Sequence, residues 1–225
     1  MWDDFFNNPE IWSIIWITLR MTFTSTLISA VLGVPFGLFL ESKSFFGKSI
    51  VVSINRTFMA LPPVVVGIVV FLLLMRQGPF GDLGWLFTFN AMIVAQVILI
   101  TPIISGMVYT VAVSRSSGIR AFAKTMGANR LQTTMLVMKE LSNEIYFAII
   151  AGFGRAMSEV GAILIVGGNI RHHTRTMTTA ISLMRNTGDF NPAIVLGVYL
   201  MVIVFLVEII GNLIRRKEKK NNDNF

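Results

Sequence analysis

Apolar residues in this chain gather into five long runs separated by short polar or basic segments. The runs cover roughly residues 11–40, 50–75, 88–113, 145–167 and 192–214. Each reaches the roughly 20 residues that a helix needs to cross a bilayer. The pattern therefore predicts an all-α integral membrane protein with about five transmembrane helices. Residues 1–225 read as one membrane domain, with no soluble domain, linker or internal repeat. The first run, 11–40, would make about 45 Å of helix, more than the hydrocarbon core. Residues 11–17 are therefore expected at the interface, where Trp12 and Trp16 suit headgroup depth. Arg20 would then sit near that boundary or turn into the bundle.

Breakers interrupt these runs. Pro62 and Pro63 remove two backbone donors early in the second run and predict a kink or break there. Freed carbonyls at that depth need protein or a watery cavity to receive them. The pair reads either as a flexible element lining a pathway or as a packed kink. Gly78, Pro79, Gly81, Asp82 and Gly84 mark a turn before the third run. Thr101-Pro102 offers a second kink, with Ser105 and Gly106 as a small packing surface.

Charge then orients the chain. Segments 41–49, 114–144 and 215–225 hold twelve Lys and Arg residues, whereas the opposite side holds Arg76, Arg171, Arg175 and Arg185. This asymmetry predicts an amino terminus outside and a carboxyl terminus inside. Only 14% of residues are charged against 54% hydrophobic, and the mean hydropathy is +0.69; both values belong to a membrane protein. The net charge of +7 is spread between apolar runs and predicts no nucleic-acid partner. The acidic start, with Asp3, Asp4 and Glu10, does not read as a cleaved leader.

Little in the chain suggests catalysis. The segment Ser42–Ser49 ends like a phosphate-binding loop, but Ser42 replaces the first glycine, Phe45 and Phe46 fill the wrap, and no strand precedes it. His172 and His173 are adjacent and point apart, a poor chelating pair, so no metal site is predicted. Cysteine is absent. Arg155 and Glu159 are different, because they are charges inside the fourth run. Their spacing predicts one shared helix face, and charges at bilayer depth need pairing or water. They fit a translocation path or subunit interface, or equally a structural ion pair. Glu208, near the inner end of the last run, is expected at the interface or paired with Arg215 or Arg216.

The basic segment 114–144 carries a further pattern. On helical spacing Ala123 and Gly127 share one side, with Ala128 beside them and Lys124 and Arg130 flanking. Small residues there permit close approach of another surface, although a solvated amphipathic turn has the same composition.

At these residues the chain resembles the membrane permease subunits of ATP-binding-cassette importers. Their cytoplasmic motif E-A-A-x-x-x-G, nine residues, then I-x-L-P, is met at Ala123, Gly127 and Val137. The chain departs from it at Ala121, Phe122, Lys139 and Glu140. The run G154-RAMSEVGAILIVGGNI, followed by T174-RTMTTAI, is similar to oxyanion permeases for molybdate and sulfate and most resembles the tungstate type. L61-PPVVVGIVV points the same way.

The resemblance implies a homodimer of five-span subunits with the type I importer fold. Residues 115–140 would form a coupling helix seated on a separate cytoplasmic ATPase, with Ala123, Lys124, Gly127, Ala128 and Arg130 at the contact. An extracytoplasmic binding protein would deliver the oxyanion. ATP and magnesium would bind the ATPase partner, leaving no cofactor on this chain. Arg155, Glu159, Asn169, Pro62 and Pro63 are then pathway candidates. Loop 168–191 sets Arg171, Arg175 and Arg185 against Asp189 alone, and Arg171 and Arg175 are outer-gate candidates through this positive field. The competing classes are a molybdate or sulfate permease, a stand-alone channel or secondary transporter, and a membrane scaffold.

Overall fold

The computed structural model describes residues 9–222, with the side chains of 212 and 214–222 outside that description. Asp3, Asp4 and the basic group from Arg215 to Lys220 therefore lie outside the described side chains. Nine α-helices are present among the described residues, and no strand: α1 (Pro9–Ser42), α2 (Lys48–Met59), α3 (Pro63–Leu74), α4 (Phe89–Thr125), α5 (Arg130–Glu140), α6 (Ser142–Met157), α7 (Gly161–Gly167), α8 (Met177–Thr187) and α9 (Phe190–Asn222). Among the described residues three helices are long and apolar enough to span a membrane, or up to five if each of two bent pairs counts as one span.

The first packing decision is written along α1. Its outward side is large and apolar, with Phe23, Leu27, Val31, Leu32 and Phe39 exposed. Its buried side interleaves small or hydroxylated residues, Thr18, Thr22, Ser25, Thr26, Ser29, Gly33 and Gly37, with larger apolar ones such as Ile14, Met21, Val34 and Leu38. The small positions permit the close backbone approach through which helices associate in lipid. A Cβ at Gly37 would lie 2.6 Å from the Ser105 carbonyl, and one at Gly33 would lie 3.1 Å from that of Thr101. These glycines seat α1 on α4.

Two expected spans are bent. The second breaks between α2 and α3 by 101°, where Pro62 is the N-cap and Pro63 opens α3. At twelve residues each, the halves are about 18 Å long, so neither alone crosses the core. The fourth bends by 59° between α6 and α7. The third expected span, α4, runs on from Phe89 to Thr125, so the start of the basic segment 114–144 belongs to a continuous helix. Asn55 leans α2 on α4 by donating to the Pro102 carbonyl at 3.3 Å and accepting from the Ser105 hydroxyl at 3.0 Å.

The two ends of the bundle differ in charge. At one end Glu41 pairs with Arg120 and accepts from the Ser116 hydroxyl at 2.5 Å, while Arg115 pairs with Glu144. At the other end Glu10 meets Arg171 and Arg175, and Arg20 lies 4.8 Å from the Phe89 ring centre. One core cluster joins Met21, Val66, Val70, Met92 and Ile163, and another joins Val34, Ile100, Ile104, Val108 and Val137. A third, formed by Ile11, Ile14, Met177, Val195 and Leu196, holds the tip of α1 against α8 and α9. Most of α9 from Phe190 to Gly211 is uncovered, with 17% of its apolar window buried. Glu208 is exposed on that helix, and the arginines expected to pair with it lie outside the described side chains.

Candidate functional site

The break between α6 and α7 gathers buried polar groups within the fourth apolar run. Sequence spacing placed Arg155 and Glu159 on one helix face. Instead α6 stops at Met157 and Glu159 stands in the gap. The two still pair, Arg155 Nη1 to Glu159 Oε2 at 2.9 Å, with the carboxylate side chain 4% exposed and the guanidinium 35%. The other carboxylate oxygen accepts from the Ala162 amide at 3.1 Å, supplying a partner to the first turn of α7. A hydroxyl from α8, Thr178 Oγ1, donates to the Glu159 carbonyl at 2.8 Å.

The freed end of α6 is met by a residue that sequence reasoning missed. Gln96, fully buried in α4, donates from Nε2 to the Ala156 carbonyl at 2.9 Å and accepts from the Ser25 hydroxyl through Oε1. One amide thus ties α1, α4 and the break together. Its signal in sequence was a lone amide inside an apolar run, where an unsatisfied amide costs several kcal/mol. The broken backbone is tolerated because side chains replace the lost helix bonds.

The two breaks adjoin. A Cβ at Gly161 would lie 2.8 Å from Val64 Cγ2, and one at Gly67 would lie 2.8 Å from Ala162 Cα. Half-helices α3 and α7 therefore run in backbone contact. Pro62 and Pro63 stand next to the Arg155–Glu159 gap, whereas Asn169 lies past the far end of α7.

At that far end Gly168, Asn169 and His172 all have left-handed φ of 69°, 51° and 62°. Arg175 Nη2 reaches the Asn169 carbonyl at 3.5 Å. The charge balance of this segment is not that of Arg171, Arg175 and Arg185 against Asp189 alone. Glu10, brought in by α1, takes the first two: Arg171 Nη2 at 2.5 Å and Arg175 Nη1 at 2.7 Å. The segment is also not one loop, since α8 fills residues 177–187.

The basic end is a helix, a tight turn and a second helix, where one coupling helix over 115–140 was expected. α4 ends at Thr125; the Ala128 amide bonds the Ala123 carbonyl at 3.0 Å and the Gly127 amide bonds that of Lys124 at 3.1 Å. This is a Schellman turn, and Gly127 holds its left-handed position at φ 72°. Ala123 and Gly127 therefore share no helix face. Asn129 and Gln132 then form a reciprocal capping box that starts α5. Ala123 is buried, while Lys124 and Arg130 are exposed beside a cleft also lined by Lys43, Arg120 and Thr134. Val137 is fully buried, and the departing residues Lys139 and Glu140 are exposed, where substitution disturbs no packing. An exposed apolar set also lies here, Phe122 in the last turn of α4 and Met126 at its C-cap, with Leu131 and Met135 on α5. Leu131 and Met135 are four apart on α5 and so lie on one side of it.

Long apolar helices, two stitched breaks and a basic helical turn at one end describe a multi-pass membrane protein. The chain belongs to the family of inner membrane components of binding-protein-dependent transport systems, which matches residues 33–220. It is a permease subunit of an ABC importer. It is 38% identical over 200 residues to a tungstate uptake system permease, TupB, of Peptoclostridium acidaminophilum, covering 89% of this chain and 88% of that one. It is also 38% identical to a probable anion ABC transporter permease of Haloferax volcanii, covering 93% of each. Among solved structures, a bacterial ABC transporter that imports the acidic polysaccharide alginate matches with TM-score 0.78 at 17% identity, over 96% of this chain and 82% of that one. The methionine transporter MetNI, in an inward-facing conformation, matches with TM-score 0.71 at 21% identity, over 94% and 98%.

Proposed function

We propose that this chain is the membrane permease of an ATP-driven importer for an oxyanion, with tungstate as the substrate. The observation that carries this reading is the similarity to the tungstate uptake permease over nearly the full length of both chains. Permeases named for sulfate and molybdenum are also similar, at 24% and 25% identity. The lower identity ranks those ions second. Two copies form the pathway, with the carboxyl terminus inside. A cytoplasmic ATPase, carrying ATP and magnesium, docks on the turn between α4 and α5. An extracytoplasmic binding protein delivers the ion.

Two features support this mechanism. The turn presents Phe122, Met126, Leu131 and Met135 as apolar anchors beside Lys124 and Arg130, a composition suited to seating in a partner's cleft. The adjoining breaks give the bundle half-helices that can repack, as alternating access between two arrangements requires. The test is uptake into proteoliposomes holding this chain, its ATPase and its binding protein. Tungstate uptake should need ATP and fall on adding molybdate more than sulfate. Uptake by this chain alone, driven by a membrane potential, would favour a channel or secondary transporter.

A further inference from the structure

Residues 167–175 present two guanidinium groups on a frame that their own backbone fixes. The Ile170 carbonyl accepts from the amides of His173, Thr174 and Arg175 at 3.2, 3.0 and 3.0 Å. The buried Thr174 hydroxyl accepts from the Ile170 amide at 2.9 Å and donates to the Gly167 carbonyl at 2.5 Å. Arg171 and Arg175 therefore project from a preformed loop and do not depend on a helix to bring them together. Their common partner is one carboxylate, each oxygen of Glu10 taking one arginine. The clamp leaves something over: Arg175 Nε is buried and has no hydrogen-bond partner among the described residues. A carboxylate offers two oxygens, both engaged here. A tetrahedral dianion offers four and carries twice the charge, so it can occupy the same fork and leave an acceptor for a third donor.

We propose that Arg171 and Arg175 form an oxyanion subsite and that Glu10 is its resident competitor, a tethered carboxylate that a delivered oxyanion displaces. This deepens, and rests on, the oxyanion importer reading. Release of Glu10 leaves α1 seated. The anchors Ile11 and Ile14 stay buried against α8 and α9, and Glu10 lies in the first turn of α1, where helices fray. The tethered group also gives the fork a threshold, because the apparent affinity for an external ion falls by the fraction of time the fork is open. A fork open about one-tenth of the time binds about tenfold more weakly than a free one.

The experiment is equilibrium binding of tungstate to the purified full-length chain in nanodiscs, without ATPase or binding protein. Glu10→Gln keeps the side-chain shape and removes the charge, so tungstate should bind about tenfold more tightly than to wild type. Glu10→Asp, a shortened carboxylate, should fall between them. Combining Glu10→Gln with Arg171→Gln and Arg175→Gln should abolish the gain. The subsite is overturned if Glu10→Gln binds no better while its melting temperature stays within a few degrees of wild type. It is overturned equally if the gain survives loss of both arginines, or if chloride at the same ionic strength competes as well as tungstate. ATP-dependent uptake by the wild-type assembly is read separately. Uptake without the binding gain overturns the subsite alone, and the binding gain without uptake overturns the importer alone.

Discussion

Glu159 carries three duties at one position: it neutralises Arg155, caps α7 through the Ala162 amide and offers its carbonyl to Thr178. The two side-chain duties separate by substitution. Glu159→Gln keeps an acceptor for the Ala162 amide but leaves Arg155 without its counter-charge. Glu159→Ala removes both and should be worse by the worth of a helix cap, about 1 kcal/mol. Breaking a buried pair costs about 3–5 kcal/mol. Arg155 is about one-third exposed, so a loss below that range is expected for Glu159→Gln. Arg155→Met in the Glu159→Gln background should recover part of it in thermal unfolding, which a double-mutant cycle reads directly. Full additivity would show that the pair contributes nothing.

Glycines make a second contrast at the same scale. Gly37→Ala forces a Cβ to 2.6 Å from the Ser105 carbonyl and should cost about 1–3 kcal/mol by overpacking. Gly118, also inside a long helix, has open space where its Cβ would go. Gly118→Ala should stabilise the isolated chain by up to about 1 kcal/mol. Melting temperatures of the two variants moving in the same direction would contradict the close α1–α4 contact.

Among the elements, the turn between α4 and α5 shows how far local pattern reaches. Ala123 and Gly127 at a spacing of four look like one face of a helix, and their flanking cations strengthen that impression. The stop signal was nonetheless present: a glycine followed by Asn129 with Gln132 three residues later, a helix end and a new beginning. Gly127 is required for its backbone angle, so Gly127→Leu would damage the turn and any docking together. Gly127→Asn tolerates the left-handed region and should retain ATPase binding and coupled transport. Gly127→Val should lose both in a co-purification and ATPase assay. Equal behaviour of the two would remove the turn from the docking role. The apolar runs were legible because composition alone marks a span, but hydropathy records depth and not direction. Pro62 and Pro63 announced one break, whereas the other has no proline and was signalled only by a charged residue followed by Gly161. The Glu10 clamp joins residues 161 and 165 positions apart, beyond the reach of any local spacing rule. The same long separation hides Gln96, whose partners Ser25 and Ala156 lie on other helices.

On the scale of the whole molecule, folding sorts the charges to two ends. The turn from 42 to 44 and residues 120–134 share one cleft rich in Lys and Arg, while Glu10 and the arginine loop stand at the opposite end. Gly211 lies against Tyr146, placing the last span's end with α6's start, away from Glu10. We expect an odd number of crossings on this ground, and the basic excess predicts which end faces the cytoplasm, since Lys and Arg resist translocation. The chain has no cysteine, so single cysteines report sidedness without background. Ser44 and His173 are both exposed, one at each end. In intact cells a membrane-impermeant maleimide should label His173→Cys, and should reach Ser44→Cys only after the membrane is opened. The opposite result would invert the orientation and move the ATPase to the arginine loop. Labelling of both in intact cells would place the two segments on one side, which five crossings cannot do.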